Sequence, residues 1–169
     1  TSNVLLNLLS SHDIPRIYEY CESKKQLKLA VLFMMTFPGI PMVYYGDELG
    51  LKGGKDPDNR RCMPWDRVEN NELLDYYKKL IEIKKNTSPL YRGDIRMVLK
   101  DETNNVLVFK RRSKYKTAYV VINNSHISQN VTFAIERSGK YTELINNRVT
   151  ESDNGTLTVQ MHEYEGKLF

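Results

Sequence analysis

The 169-residue sequence predicts two structural classes in succession, an α/β unit over residues 1–90 and an all-β domain over residues 91–169. Before residue 90, apolar runs of strand length alternate with helical periodicity, and after it short β-rich runs recur at nearly even spacing. The composition is 40% hydrophobic and 27% charged, which supplies enough apolar side chains for a core.

The first predicted element is a strand over residues 4–9, Val-Leu-Leu-Asn-Leu-Leu. A run that is apolar at almost every position indicates a strand buried on both faces, as in a parallel sheet. A helix is predicted from Ser23, because Ser23 and Gln26 have the spacing of a capping box. Pro38 and Gly39 are expected to end this helix.

A second buried strand is predicted over residues 41–45, followed by a long irregular loop at 46–70 that is rich in glycine and proline. A loop of that length inside a compact domain is usually functional. Residues 71–86 have the periodicity of an amphipathic helix, and its apolar face is predicted to contain Leu73, Leu74, Tyr77, Leu80 and Ile81. The order strand, helix, strand, helix predicts a right-handed crossover and a parallel sheet.

The second half predicts an antiparallel β-sandwich or small barrel, since turn-forming residues separate its β-rich runs. These runs lie at 95–99, 105–111, 117–122, 129–135, 141–145 and 156–161, with a last one near the C-terminus. Two parallel strands cannot form a stable sheet with both faces covered. We therefore expect residues 1–90 to be the end of a larger α/β domain and the chain to be part of a longer protein.

Charge and hydropathy exclude several classes of partner. The net charge of +4 is spread along the chain, whereas a nucleic-acid surface needs charge and aromatic rings on one face. The densest basic run, at 110–112, is interpreted as a solvated hairpin turn. The most apolar stretch, at 29–45, is interrupted by prolines and a glycine, so no membrane span is expected. Cys21 and Cys62 lack zinc or disulfide spacing, and reduced thiols favour a cytoplasmic location.

Three ordered segments carry a resemblance to a known family. They are Asn-Leu-Leu-Ser-Ser-His-Asp-Ile-Pro-Arg at 7–16, Phe-Pro-Gly-Ile-Pro-Met-Val-Tyr-Tyr-Gly-Asp-Glu at 37–48, and Gly-Gly-Lys-Asp-Pro-Asp-Asn-Arg-Arg-Cys-Met-Pro-Trp-Asp at 53–66. They resemble the seventh strand, the eighth strand and the loop after it in the α-amylase family, glycoside hydrolase family 13. The third segment is similar to the neopullulanase, cyclomaltodextrinase and maltogenic amylase branch. The resemblance implies the last two strands and helices of a (β/α)₈ TIM barrel, followed by a small antiparallel β-sandwich.

The same resemblance implies retaining hydrolysis of α-1,4-glucosidic bonds, with α-1,6 bonds as a further substrate. Asp13 matches the acid that stabilises the transition state, and His12 matches a histidine that binds the same sugar. Asp56 and Arg60 match a pair that binds a sugar nearer the non-reducing end. The alternatives are purely structural roles: a cap at the end of the strand for His12 and Asp13, and a salt bridge that shapes the loop for Asp56 and Arg60. Because functional groups of such barrels lie at the C-terminal ends of the strands, both pairs are expected on one face.

Other conspicuous side chains are interpreted structurally. Trp65 is expected to pack, with stacking on a sugar as the alternative. Tyr44 and Tyr45 are interpreted as barrel wall. Neighbouring side chains on an extended segment point to opposite faces, so Asp47 and Glu48 are interpreted as loop structure and not as a catalytic pair.

The nucleophile and the general acid of the family have no match here, so the chain alone is expected to lack hydrolase activity. No metal site and no cofactor are expected in this chain. The family often binds calcium, but mostly through an inserted domain without a match here, and an oxygen-rich loop at Asp56, Asp58 and Asn59 is the weaker alternative. The expected partner is an α-glucan, with neither nucleic acid nor membrane, and the resemblance implies a homodimer of the full-length protein. The rival hypotheses are a glucanosyltransferase, a sucrose-acting or non-catalytic homologue, and a stand-alone carbohydrate-binding module.

Overall fold

The computed structural model describes residues 4–169, which divide into two compact units with the boundary in sequence between Asn86 and Thr87. In the first unit, β1 (Leu6–Leu8) pairs in parallel with β2 (Ile40–Met42), and α1 (Lys24–Thr36) connects them. The predicted strand–helix–strand order and parallel pairing are therefore confirmed. Both strands are shorter than predicted, at three residues each.

The prediction that the first strand is buried on both faces is wrong for the described residues. Leu6 is 62% exposed and Leu8 41%, and Ile40 on the paired strand is exposed as well. The sheet that contains them has two strands, and the described part of the chain supplies no element that covers these side chains. The apolar run therefore forms a strand, as predicted, but the side chains of Leu6 and Leu8 are exposed.

The N-terminus of α1 is capped as its sequence predicts, with one shift. Ser23 Oγ accepts a hydrogen bond of 3.3 Å from the Gln26 backbone N–H. Gln26 Oε1 accepts from the N–H of Glu22 at 2.6 Å and not from that of Ser23. Two otherwise unpaired donors are still satisfied, which is what a capping box achieves. The helix ends before Phe37, whose N–H donates to the Phe33 carbonyl.

Three short 3₁₀ turns, Asp47–Leu49, Asp58–Arg60 and Trp65–Arg67, order the long loop before α2 (Glu72–Asn86). The helix packs on α1 and on the Asp47–Leu49 turn through Leu73, Tyr77, Leu80 and Ile83. The prediction placed Ile81 on this face, but Ile81 is exposed. Ile81 follows Tyr77 by four residues, but the buried stripe continues through Leu80 and Ile83, which leaves Ile81 on its flank.

The second unit begins with a short helix and continues as eight strands. In chain order they are α3 (Ser88–Arg92), β3 (Asp94–Asp101), β4 (Val106–Arg112), β5 (Thr117–Asn123), β6 (Gln129–Ala134), β7 (Lys140–Thr142), β8 (Val149–Glu151), β9 (Thr156–Met161) and β10 (Glu165–Leu168). All strand pairs are antiparallel, in a four-stranded sheet of order β10-β5-β4-β3 and two pairs, β6-β9 and β7-β8. The sequence missed β8, which is three residues long and mostly exposed.

The core of the second unit lies between the four-stranded sheet and the β6-β9 pair. Alternate residues of the strands point inward, as the period of two requires. The core consists of Val106, Val108, Tyr119, Val121, Val131, Phe133, Leu157, Val159, Met161 and Phe169. Two sheets that share one apolar core form a sandwich, as predicted.

The interpretation of the basic run as a solvated turn is wrong. Arg111 is fully buried, and its Nη2 donates to the Gly93 carbonyl at 2.8 Å. Lys110 forms an ion pair of 2.8 Å with Glu136. The run belongs to β4, which extends to Arg112, so its side chains alternate between the two faces of the sheet. Arg111 lies on the face opposite to the core residues Val106 and Val108, and it is buried there against Gly93.

Candidate functional site

The His12–Asp13 pair lies on the loop that follows β1 and is open to solvent. The His12 side chain is 61% exposed and the Asp13 side chain 73%, and Nε2 of the first lies 3.2 Å from Oδ2 of the second. The turn is closed by Ser11, whose Oγ accepts from the Asp13 N–H at 3.1 Å. The Asp13 carboxylate is therefore exposed to solvent beside the His12 imidazole, and the Ser11 hydroxyl bonds the Asp13 backbone N–H.

The side-chain amide of the buried Asn59 binds the backbone of this loop. Asn59 is fully buried, and its Nδ2 donates to the carbonyls of Ser11, His12 and Ile14 at 3.2, 2.9 and 3.0 Å. These residues are 45 to 48 positions apart in sequence. The loop that carries Asp13 is thus attached to the Asp58–Arg60 turn by side-chain-to-backbone bonds.

Arg16 ends the same loop and connects it to the exit of β2. The fully buried guanidinium donates from Nε to the Asn59 carbonyl at 2.9 Å, and from Nη1 to the Tyr45 carbonyl at 2.6 Å. Nη1 also bonds Asp47 Oδ1 at 3.0 Å. The rings of Tyr44 and Tyr45 lie 4.4 and 4.7 Å from the guanidinium carbon. Arg16 therefore joins three segments that are distant in sequence.

The carboxyl of Asp47 is part of this buried network. Burial raises the pKa of Asp47, while hydrogen bonds from the Ser10 hydroxyl and from Arg16 act in the opposite direction. Desolvation disfavours the charged form of an acid, and donors to the carboxylate favour it. The interpretation of Asp47 as loop structure is confirmed by its bond to Arg16.

Asp56 and Arg60 form the second predicted pair and contact each other directly. Arg60 Nε lies 2.5 Å from Asp56 Oδ1, and both side chains are about half exposed. Beside them, Asp58 accepts from the Gly54 N–H at 2.6 Å and from Arg61 at 2.7 Å, and these bonds hold the pKa of Asp58 below its usual range. The geometry is compatible with both hypotheses, a salt bridge that shapes the loop and a pair that binds a sugar.

The aromatic side chains of this region depart in part from expectation. Trp65 is 75% exposed, so the packing role expected for it is wrong within the described residues. No residue of its 3₁₀ turn, Trp65–Arg67, is buried. Tyr44 and Tyr45 lie against Arg16, and the Tyr45 hydroxyl donates to the Arg61 carbonyl at 2.9 Å.

Among residues 4–169, no group of three or more His, Cys, Asp or Glu side chains is arranged to hold a metal ion. Asn59 directs its amide nitrogen toward carbonyls, and Asp58 is occupied by Arg61, so these two side chains serve the loop itself. Cys21 and Cys62 are both free thiols. None of the helices in this part of the chain has the length and apolarity to cross a bilayer.

Arg16 and Asn59 are the residues that sequence reasoning missed. Both lie in segments that carried the family resemblance, at the end of the first and in the middle of the third. That position was the available signal. Their burial and their partners could not be deduced, because each side-chain hydrogen bond that gives them a role joins them to a residue at least 29 positions away.

Comparison with known proteins follows the division into two units. The family described as "Alpha amylase, catalytic domain" matches residues 1–86, and "Alpha amylase, C-terminal all-beta domain" matches residues 97–167. A cyclomaltodextrinase of Geobacillus thermopakistaniensis is 37% identical over 96% of this chain and 28% of its own length. Neopullulanase 2 of Thermoactinomyces vulgaris is 36% identical over 97% of this chain and 29% of its own length. The chain thus spans less than a third of these relatives.

Solved structures lead to the same fold. The crystal structure of an Anoxybacillus α-amylase superposes with a TM-score of 0.89 at 29% identity, covering 98% of this chain and 37% of that one. A structure named cyclomaltodextrinase superposes with a TM-score of 0.87 at 29% identity, covering 98% of this chain and 29% of that one. The predicted fold class, the end of a barrel domain followed by an antiparallel all-β domain, is confirmed.

Proposed function

The chain belongs to the α-amylase family of glycoside hydrolases, and on that premise we propose that it is the C-terminal part of a longer enzyme that hydrolyses α-glucans with retention of configuration. The proposed substrate class is cyclic and short maltodextrins, and the name of one relative, cyclomaltodextrinase, supports the cyclic ones. The proposed bonds are α-1,4, with α-1,6 as a further substrate. "Full-length enzyme" below means this longer protein.

One observation carries the proposal: the exposed Asp13 carboxylate lies on a loop whose backbone is fixed from below. Retaining hydrolysis passes through a transition state in which positive charge builds on the sugar ring. Sugar hydroxyls become better donors as that charge grows, so a carboxylate that accepts from them stabilises the transition state more than the ground state. Asp13 is open to a ligand and held by a buried support, as that task requires.

His12 and the Asp56–Arg60 pair complete the proposed contribution of this chain. His12 contacts the Asp13 carboxylate and is also largely exposed, so its imidazole can bond hydroxyls of the same sugar. Asp56 and Arg60 offer an acceptor and a set of donors side by side at half exposure. Such a pair suits the hydroxyls of a sugar farther toward the non-reducing end.

The nucleophile and the acid that protonates the leaving oxygen are assigned to parts of the full-length enzyme outside this chain. A retaining mechanism needs both groups, so the chain alone is proposed to be inactive. Dimerisation of the full-length enzyme through an N-terminal domain belongs to the same proposal. Its sedimentation at two concentrations would test that point independently of catalysis.

The role of Asp13 is tested by kinetics of the full-length enzyme with Asp13→Asn. This change keeps the size of the side chain and removes its charge. We expect kcat on a maltodextrin to fall by about 10²–10³-fold, as for the loss of one preorganised electrostatic contact, while KM changes far less. The matched control is Asp75→Asn, an exposed acid of α2, which should leave kcat unchanged. A kcat for Asp13→Asn within twofold of the wild-type value would remove Asp13 from the mechanism.

A further inference from the structure

Asn59 occupies an unusual position between the two predicted substrate-binding pairs. It is fully buried, it lies in the turn between Asp56 and Arg60, and its amide faces the backbone of the His12–Asp13 loop. An amide NH₂ has two N–H donors, so three carbonyls within 3.2 Å use its whole donor capacity and share one hydrogen. No other contact of the described residues bonds that loop at so many points.

Asn59 is itself held in place by its neighbours. Its carbonyl accepts from Arg16 Nε at 2.9 Å, and the Arg16 N–H donates to the Gly53 carbonyl at 2.9 Å. Gly53 lies so close to the turn that a Cβ there would be 2.6 Å from the Asp58 carbonyl oxygen and 2.8 Å from the Asn59 Cα. The absence of a side chain at Gly53 therefore allows its backbone to pack directly against Asp58 and Asn59, which keeps Asn59 buried.

We propose that Asn59 is a positioning residue that sets the place of the Asp13 carboxylate relative to the Asp56–Arg60 pair. This inference rests on the proposed function of Asp13. The Asn59 side chain bonds no side chain of either pair. It bonds the backbone carbonyls of His12 and Ile14, on both sides of Asp13, and Asn59 directly precedes Arg60 in the turn. A displacement of about 1 Å of a catalytic group can lower the rate about 10²-fold, so the rigidity of this link bears directly on kcat.

The chemistry of the position explains why an amide is needed. An ionised carboxylate has the shape of the amide but only accepts hydrogen bonds, so Asn59→Asp would turn an acceptor toward three carbonyls. Burial and these three carbonyls would raise the pKa of the introduced acid, since both disfavour its charged form, and they act against the positive charge of Arg16, which bonds the Asn59 backbone carbonyl at 2.9 Å. Once protonated, the acid regains one donor. The Asn59→Asp defect should therefore diminish as pH falls, whereas the defect of Asn59→Ala should not.

The experiment measures two quantities on the full-length enzyme for Asn59→Asp and Asn59→Ala. The first is amide hydrogen exchange of the peptide that covers residues 10–16, which tests the link itself without reference to catalysis. The second is kcat and KM on a maltodextrin over a range of pH. We expect faster exchange in this peptide, a kcat lowered about 10²-fold and a much smaller change in KM.

The matched control is Asn123→Ala in the second unit. Asn123 is also fully buried, and its Nδ2 donates to the carbonyls of Ile127 and His162 at 2.8 and 2.7 Å. The variant loses the same kind of bonds, so its melting temperature should fall, but its kcat below that temperature should equal the wild-type value. If the Asn59 variants do not fold, Gly53→Ala displaces the turn without deleting the amide, and it should lower kcat in the same way.

The outcomes separate the inference from the function on which it rests. Unchanged exchange at residues 10–16 in the Asn59 variants overturns the link. Faster exchange with an unchanged kcat overturns the positioning role. If Asp13→Asn also leaves kcat unchanged, the proposed function of Asp13 is wrong, while faster exchange at residues 10–16 still supports the structural link through Asn59. A fall of kcat in Asn123→Ala as large as in Asn59→Ala would assign the effect to general destabilisation and overturn the proposal.

Discussion

Replacing Arg16 by methionine removes the centre of the buried network beneath the candidate site. Methionine keeps most of the length and the apolar stem of arginine but has no donors. The change leaves the Asp47 carboxylate buried without its partner, and it leaves the carbonyls of Tyr45 and Asn59 without a bonded donor. All of the lost contacts belong to the first unit.

The expected magnitude follows from the burial of both partners. Breaking a buried ion pair by removing one side costs about 3–5 kcal/mol, because an uncompensated charge remains. For a chain of this length each kcal/mol lowers the melting temperature by roughly 2–4 °C, so the total shift should be roughly 6–20 °C. The double variant Arg16→Met with Asp47→Asn also removes the unpaired charge. We expect its loss of unfolding free energy to be about 1–3 kcal/mol smaller than the sum of the losses in the two single variants.

The pH dependence gives a second readout with a defined sign. Burial already raises the pKa of Asp47, and loss of Arg16 removes two influences that lower it. A carboxyl with a raised folded pKa destabilises the fold above that pKa, and the penalty disappears as pH falls and the group takes up a proton. The destabilisation by Arg16→Met should therefore shrink between neutral pH and about pH 4, near the pKa of an unfolded aspartate.

Urea unfolding followed by circular dichroism measures these free energies, with Arg67→Met as the control. Arg67 is exposed, so its replacement should change stability by less than about 0.5 kcal/mol. If Arg16→Met costs no more than Arg67→Met, or if its cost grows as pH falls, the account of a buried, charge-paired support is wrong.

Three further predictions concern single contacts. Asp56→Ala and Arg60→Ala should each raise KM for long maltodextrins by about 10-fold, with little effect on substrates too short to reach the pair, in steady-state kinetics of the full-length enzyme. The hydrogen bond from Lys110 holds the pKa of Glu136 below its usual range. This contact therefore stabilises the second unit fully above the pKa of the unfolded state, and the stabilisation is lost as pH falls through the folded pKa. In Glu136→Gln, the melting temperature should fall less steeply with decreasing pH than in the wild type. Ser23→Ala should cost about 1 kcal/mol through loss of the α1 cap, measured by calorimetry.

Local sequence signals predicted most of the elements, because they act over a few residues. Ser23 and Gln26 marked the start of α1 through backbone donors within one turn. Burial could not be predicted in the same way. Leu6 and Arg111 show opposite errors, an apolar side chain that is exposed and a charged side chain that is fully buried, because burial depends on which elements the fold places against a strand.

The site divides along the same line. His12 and Asp13 were identified from a short motif, since adjacent residues remain adjacent in any fold. Arg16 and Asn59 support them through contacts that span 29 to 48 positions, and no local pattern specifies such distances. The side chains proposed to contact the substrate were predicted from the resemblance, while the residues that hold their loop became visible only in the structure.

We propose that this chain supplies a stabilising acid to a reaction whose nucleophile and general acid lie in other parts of the full-length enzyme. The most direct test is release of reducing sugar from a maltodextrin and a cyclomaltodextrin by the purified 169-residue chain, beside the full-length enzyme and its Asp13→Asn variant. We expect no rate above buffer for the chain alone, a clear rate for the full-length enzyme, and a strongly reduced rate for the Asp13→Asn variant. A clear rate from the chain alone that persists after Asp13→Asn would contradict both the division of roles and the site.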